Sequence, residues 1–270
     1  MDLIVTTAQQ TVPSIIQQAK AIADKLAVPF IPRDNYSVAA LKEKYAISEL
    51  IVATTTGPVV HTATGEYFFH LSMAELRIKN LLNGNHDHMV TAMGLRSGMS
   101  VLDCTLGLAT DAIVASFVIG ENGVIIGLES SPVIALITGY GLQNFTVDSE
   151  PYITSALRHV KVKNVNYSEQ LEALADGSFD VVYFDPMFRA PILKSSNVNP
   201  IRTLANMQPL TPEVISQACR VARQKVVVKE AAGSSEFSRL GMHTIVGGKY
   251  SRINYGIIDC KPQLAGGGQP

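Results

Sequence analysis

Two hydrophobic rhythms divide the 270 residues. In the first seventy, short apolar runs alternate with helical spacing. Leu3 to Thr7 reads as a strand, and Ile15, Ala19, Ile22 and Leu26 recur at helical intervals behind Pro13, which suits a first helical turn. Val28 to Ile31 reads as a further strand, Val38 to Tyr45 as a helix, and Glu49 to Thr54 and Pro58 to His61 as β-branched strand runs. The pattern predicts a small α/β subdomain over residues 1–70. A helical stretch from Met73 to Leu82 and the polar NGNHDH segment make residues 71–98 a helical junction.

From Met99 the strands become almost wholly apolar: SVLDC, GVIIGLE, FDVVYFD and KVVVKE. Strands of this kind are buried on both faces. With helices between them, they predict a doubly wound, mostly parallel α/β sheet over residues 99–262. Thr211, Pro212 and Glu213 open one helix in capping style, with Ile215, Ala218, Cys219 and Ala222 as its buried stripe. The run HTIVGGKYSRINYGIID reads as a terminal β-hairpin, and residues 263–270, ending AGGGQP, as a flexible tail.

Composition narrows the class. Hydrophobic residues make up 47% of the chain and charged ones 17%, which excludes disorder and predicts a core large enough to need neither disulfide nor structural metal. Cys104, Cys219 and Cys260 contain no CxxC pair and read as reduced thiols. No apolar run reaches the roughly eighteen residues of a membrane span. The start MDLIVTTAQQ carries an acid where a secretory leader carries basic residues, so the expected location is cytoplasmic. A net charge of -1 removes the strongest sign of nucleic-acid binding while leaving room for local basic patches.

Two stretches carry chemistry. In VLDCTLGLATD, a strand reaches Asp103, turns through Gly107 and enters a helix near Asp111. Ligands of open α/β sheets bind at the carboxyl ends of the strands, and glycine lets backbone approach them closely. About twenty residues on, GVIIGLE ends in Glu129, placed to accept hydrogen bonds from two ribose hydroxyls. Each signal has a bland alternative, Asp103 in a turn and Glu129 beside a helix start at Pro132; together they indicate a nucleoside. Cys104 reads as a small buried hydrophobe, not a nucleophile.

The second stretch is FDVVYFDPMF. An exocyclic nucleobase amine is a poor nucleophile because its lone pair is delocalised into the ring. The Asp185 carboxylate and the Pro186 carbonyl are suited to accept its two N–H hydrogens as the nitrogen becomes tetrahedral. Proline stiffens that loop, Phe188 offers a face on which a base stacks, and Met187 an apolar wall. The expected geometry has Glu129 and Asp185 at neighbouring strand tips, converging on one pocket.

The order VLDxTxGxxxD, GLESSP, VVYFDPMF and VVVK resembles the class I S-adenosylmethionine (SAM)-dependent methyltransferases, with their Rossmann-like sheet. Within them it is most similar to the RsmJ-type guanine-N2 methyltransferases of small-subunit ribosomal RNA. The resemblance covers roughly residues 99–260 and implies SAM as methyl donor and ribosomal RNA as substrate. It implies donor contacts at Thr110, Asp111 and Asp185, a loop shaped by Asp103 and Gly107, a ribose contact at Glu129, and Ser130 beside the adenine. Near the third strand end, where the family has two small hydroxyl residues, the candidates here are Asn166, Tyr167 and Ser168. Ser130 and Ser131 also replace the family's usual polar pair.

Methyl transfer needs no metal, and His86 and His88 read as solvated junction residues. Lys194, Arg202, Lys249 and Arg252 have two readings, contact with RNA phosphates or solvated surface charge; Lys229 reads as a residue of the substrate cleft or of a rim salt bridge. Rival functions are an adenine-N6 or small-molecule amine methyltransferase, a nicotinamide-dependent oxidoreductase and a non-catalytic RNA-binding module.

Overall fold

A computed structural model describes residues 3–186 and 204–260. Met187, Phe188, Lys194, Arg202 and the tail at 263–270 lie outside them. The described residues pack as two compact units: 3–70, 131–145 and 204–206 form one, and 71–130, 146–186 and 207–260 the other.

In the first unit, strands β1 (Leu3–Thr7), β2 (Glu49–Thr54), β3 (Gly57–His61) and β4 (Glu66–Tyr67) form a sheet in that order, with β1 parallel to β2 and the rest antiparallel. Helices α1 (Pro13–Leu26) and α2 (Val38–Tyr45) belong to it, and Ile4, Leu41, Leu50 and Val52 form part of its core. The expected strand at Val28–Ile31 shrinks to one bridge between Phe30 and Val5. Pro29 and Pro32 lack the N–H groups that a longer ladder needs. Helix α6 (Pro132–Asn144), distant in sequence, also joins this unit, and its Gly141 lies so close to the Phe69 ring that a Cβ would stand 1.8 Å from it.

The second unit holds helices α3 (Ala74–Leu82) and α4 (His88–Met93) and a seven-stranded sheet. Its strands are β5 (Ser100–Asp103), β6 (Val124–Glu129), β7 (Val160–Asn164), β8 (Phe179–Phe184), β9 (Ala222–Ala231), β10 (Thr244–Val246) and β11 (Ile253–Asp259). Their order is β10-β11-β9-β8-β5-β6-β7, parallel from β7 through β9 and antiparallel at β11 and β10. Helices α5 (Thr110–Ile119), α7 (Pro151–His159), α8 (Tyr167–Ala173), α9 (Pro212–Val221) and α10 (Glu236–Arg239) connect the strands. The parallel core and antiparallel terminal hairpin agree with the doubly wound, Rossmann-like expectation. In α9 the buried face is Ile215, Ala218 and Val221; Cys219 is half-buried, and Ala222 begins β9 instead of ending the helix stripe.

This topology positions a site. The chain runs from β5 to β6 on one side and reaches β8 on the other, so the crevice where strand order reverses opens at the carboxyl end of β5.

Candidate active site

Asp103 ends β5, and its buried Oδ1 accepts the Thr105 N–H at 3.0 Å. The Thr105 hydroxyl in turn accepts the Asp185 N–H at 2.6 Å, which ties the first loop to the tip of β8. On its other side this loop meets β6: the Gly107 N–H donates to Oε2 of Glu129 at 3.2 Å. Gly107 takes φ 51°, a conformation suited to glycine, and Gly127 in β6 leaves the room that the Leu106 side chain fills, since a Cβ there would stand 2.3 Å from it. Asp103, Gly107, Glu129 and Asp185 thus gather at one edge of the sheet. Glu129 and Asp185 do not stand on neighbouring strands, however. β5 separates β6 from β8, so the two tips are about 10 Å apart at ordinary strand spacing, and the loop after β5 fills the floor between them.

Asp111, in the first turn of α5, is the hub of a buried ionic chain. Its Oδ1 accepts from Arg77 of α3 at 2.5 Å, and its Oδ2 from the Tyr183 hydroxyl at 2.7 Å and the Lys229 ammonium at 2.9 Å. Lys229 also donates to Oδ2 of Asp185 at 2.8 Å. Arg77 grips Asp87 with two more bonds, at 2.7 and 3.0 Å, while Asp87 caps α4 by accepting the Met89 and Val90 N–H groups. Lys229 is therefore a partly buried member of an ion-pair chain, bridging Asp111 and Asp185. Although burial opposes its charge, Asp185 and Asp111 hold its ammonium above the usual lysine range. Burial also opposes ionisation of Asp111, but Lys229 and Arg77 hold its carboxyl well below the carboxylate range. Asp185 lies at the wetter end, its side chain 31% exposed. Burial raises its carboxyl above the ordinary value, Lys229 pulls it down, and the Asp111 charge pushes it up again. Among the described residues no donor reaches Oδ1 of Asp185.

Arg77, Asp87 and Tyr183 were not candidates on sequence. The signal for Asp87 is present, an Asx cap directly before the apolar run of α4; for Arg77 there is only its place one residue before the buried Ile78.

The other expected residues are placed as follows. Thr110 opens α5 behind Ala109, itself at φ 62°. The Ser130 carbonyl accepts from the Asn164 amide at 3.2 Å. Asn166 is an N-cap, its Oδ1 accepting the Ser168 N–H, and the Tyr167 ring meets Phe184 edge-on at 5.7 Å. Pro186 follows Asp185 at the strand tip. Burial pushes the Cys104 thiol up, consistent with an inert core residue. Among the described residues no cluster of three or more His, Cys, Asp or Glu is placed to hold a metal, and no helix is long and apolar enough to cross a membrane.

Asp103 yields a pH prediction. Burial pushes its carboxyl up to about 8, with the Thr105 N–H pulling the other way. Between the ordinary value of about 4 and that figure, the folded protein holds a proton that the unfolded chain has released. Stability therefore falls as pH rises through the window, by at most about 1.4 kcal/mol per unit, and levels off above it. Asp103→Asn removes this titration, so thermal unfolding from about pH 4.5 to about 8.5 is expected to show the wild type losing ground to the variant. Parallel curves would show that Asp103 titrates normally.

Comparison with known proteins places these features in a family. Residues 62–255 match the sequence model SAM_MT, of SAM-dependent methyltransferases. The Bacillus subtilis protein YpiP is 35% identical over 260 residues, covering 96% of this chain and all of that one. The ribosomal RNA small subunit methyltransferase J of Thioalkalivibrio sulfidiphilus is 28% identical over 243 residues, 86% of this chain and 89% of its own, and that of Pseudoalteromonas atlantica 25% identical over 268. A crystal structure of a Neisseria gonorrhoeae SAM-dependent methyltransferase shares the fold, with a TM-score of 0.63 at 16% identity over 96% of both chains. The match spans more than half of the chain, and with a relative 35% identical along nearly its whole length, the chain belongs to the family of class I SAM-dependent methyltransferases.

Proposed function

We propose that this methyltransferase modifies an exocyclic amine of a nucleobase in RNA, namely guanine N2 in small-subunit ribosomal RNA. The observation that carries the reading is the state of Asp185: one carboxylate oxygen pinned by Lys229, the other without a donor among the described residues, directly before Pro186. The names of the methyltransferase J relatives support the choice of ribosomal RNA.

The residues fit the donor. Glu129 and the Gly107 turn would hold a ribose diol beside close backbone, and Asp103, whose carboxyl burial raises, would supply an acid for a cationic amino-acid group. When bound, SAM supplies the methyl group as an activated electrophile whose S–C bond breaks with the electron pair left on sulfur. The protein's part is positioning and charge. Asp185 Oδ1 and the Pro186 carbonyl accept the amine hydrogens, which directs the nitrogen lone pair outward, and one proton then passes to Asp185 and on to water. A base paired within a helix must leave its stack to reach this edge.

Methyl-labelled SAM offered with small ribosomal subunits, naked small-subunit RNA, DNA and a metabolite extract tests the reading. Label is expected in RNA and, after digestion, in N2-methylguanosine. Label in N6-methyladenosine would move the target to adenine, and label in metabolites alone would remove the RNA substrate.

A further inference from the structure

The hairpin joining β10 to β11 has the sequence GGKYSR at residues 247–252, and its register places it beside the site. Ile253, the first residue of β11, pairs with Ala231 at the carboxyl end of β9, two residues beyond Lys229. The turn therefore emerges from the same edge of the sheet as Asp185. It is a built turn. The Ser251 N–H donates to the Gly248 carbonyl at 2.9 Å, the Ser251 hydroxyl donates to the Ile253 carbonyl at 2.7 Å, and the Ala232 N–H donates to the Arg252 carbonyl at 2.9 Å. Gly248 lies against α4, where a Cβ would stand 2.8 Å from Nε2 of His88, so the HDH segment backs the turn.

What the turn presents is unusual for a soluble surface. Tyr250 is 88% exposed, whereas the next most exposed large hydrophobic residue among the described residues is at 55%. The Lys249 ammonium lies 5.5 Å from its ring centroid. Among the described residues neither Lys249 nor Arg252 has an acidic partner, and from Leu240 to Ile258 the chain carries no acid at all. An unburied aromatic ring flanked by two unpaired cations complements a single nucleic-acid strand, with a base face for the ring and phosphates for the charges.

We propose that the β10–β11 turn is an RNA-holding finger: Tyr250 stacks on an unpaired base next to the target nucleotide, and Lys249 and Arg252 bind the adjoining phosphates. The proposal rests on the RNA reading above and adds the surface that grips the strand. It also explains how a chain of net charge -1 holds an anionic polymer, by concentrating cations at one tip.

The test is fluorescence anisotropy with a labelled single-stranded RNA oligonucleotide of mixed sequence across a KCl series, on the whole protein without donor. Tyr250→Ala is expected to weaken binding roughly 5- to 100-fold and Tyr250→Phe to leave it within about twofold, since stacking needs the ring alone. Lys249→Gln with Arg252→Gln is expected to lower the slope of log affinity against log salt by about 1.4, about 0.7 per phosphate contact on a single strand. Unchanged Tm and unchanged S-adenosylhomocysteine binding establish that each variant is folded. Affinity within twofold for Tyr250→Ala, or an unaltered salt slope for the double variant, overturns the finger while the RNA reading stands. Loss confined to intact small ribosomal subunits, with naked RNA unaffected, assigns the tip to a protein surface and also overturns it. Wild-type protein that binds no RNA overturns both readings together.

Discussion

Asp185→Asn is expected to slow methyl transfer by about 10²- to 10³-fold while leaving S-adenosylhomocysteine affinity within about threefold. The substitution keeps the shape of the side chain but puts a neutral amide in place of the carboxylate that the proposed function sets against the amine. The protein should tolerate it. Lys229 keeps its second carboxylate, Asp111, at 2.9 Å, and the 31% exposure of the Asp185 side chain lets water reach what the change leaves unpaired. Single-turnover rates with saturating donor and RNA, beside a donor titration, separate the two effects. A rate within tenfold of wild type would remove Asp185 from the acceptor site, and a loss of donor affinity equal to the loss of rate would make it a donor-holding residue.

Asp111→Ala should act on the fold instead. Its carboxylate takes three hydrogen bonds in the interior, two of them from cations, and its side chain is 7% exposed. Removing one partner of a buried ion pair leaves the other charge uncompensated, which costs roughly 3–5 kcal/mol. Here each cation keeps one other carboxylate, Asp87 for Arg77 and Asp185 for Lys229, so the lower figure applies. A loss of about 3 kcal/mol corresponds to a fall in Tm of roughly 6 to 12 °C for a chain of this size. Denaturant unfolding of the two proteins measures it. A loss under about 1 kcal/mol would show that water already solvates this junction.

The parts of the molecule legible in the sequence are those whose cause is local. β5, β6, β8 and the centre of β9 are apolar runs because both faces of a parallel sheet are covered, and β5, β6 and β8 lead into acids at the crevice. Asp103, Glu129 and Asp185 stand out for that reason, and Gly107 because the turn after β5 needs a positive φ. The strand expected at Val28–Ile31 failed for an equally local reason, its two prolines, and the Asn166–Ser168 segment had no readable register because Asn166 is spent on capping α8. What stayed hidden is long-range pairing. Arg77 meets Asp111 across 34 positions and Tyr183 meets it across 72. Periodicity carries no trace of which buried cation answers which carboxylate. The interposition of β5 between the two acidic tips was hidden too, because the switch in strand order is a property of the assembled sheet.

That ionic chain has a consequence for how the enzyme is made. Lys229 closes on Asp111 over a separation of 118 positions and on Asp185 over 44. During translation, α5 and the tip of β8 leave the ribosome well ahead of their shared counter-charge. A nascent polypeptide halted before β9 holds the Asp185 carboxylate without Lys229, and Asp111 with Arg77 as its sole cation. The charge balance of this edge is therefore completed only when β9 takes its place beside β8, late in synthesis.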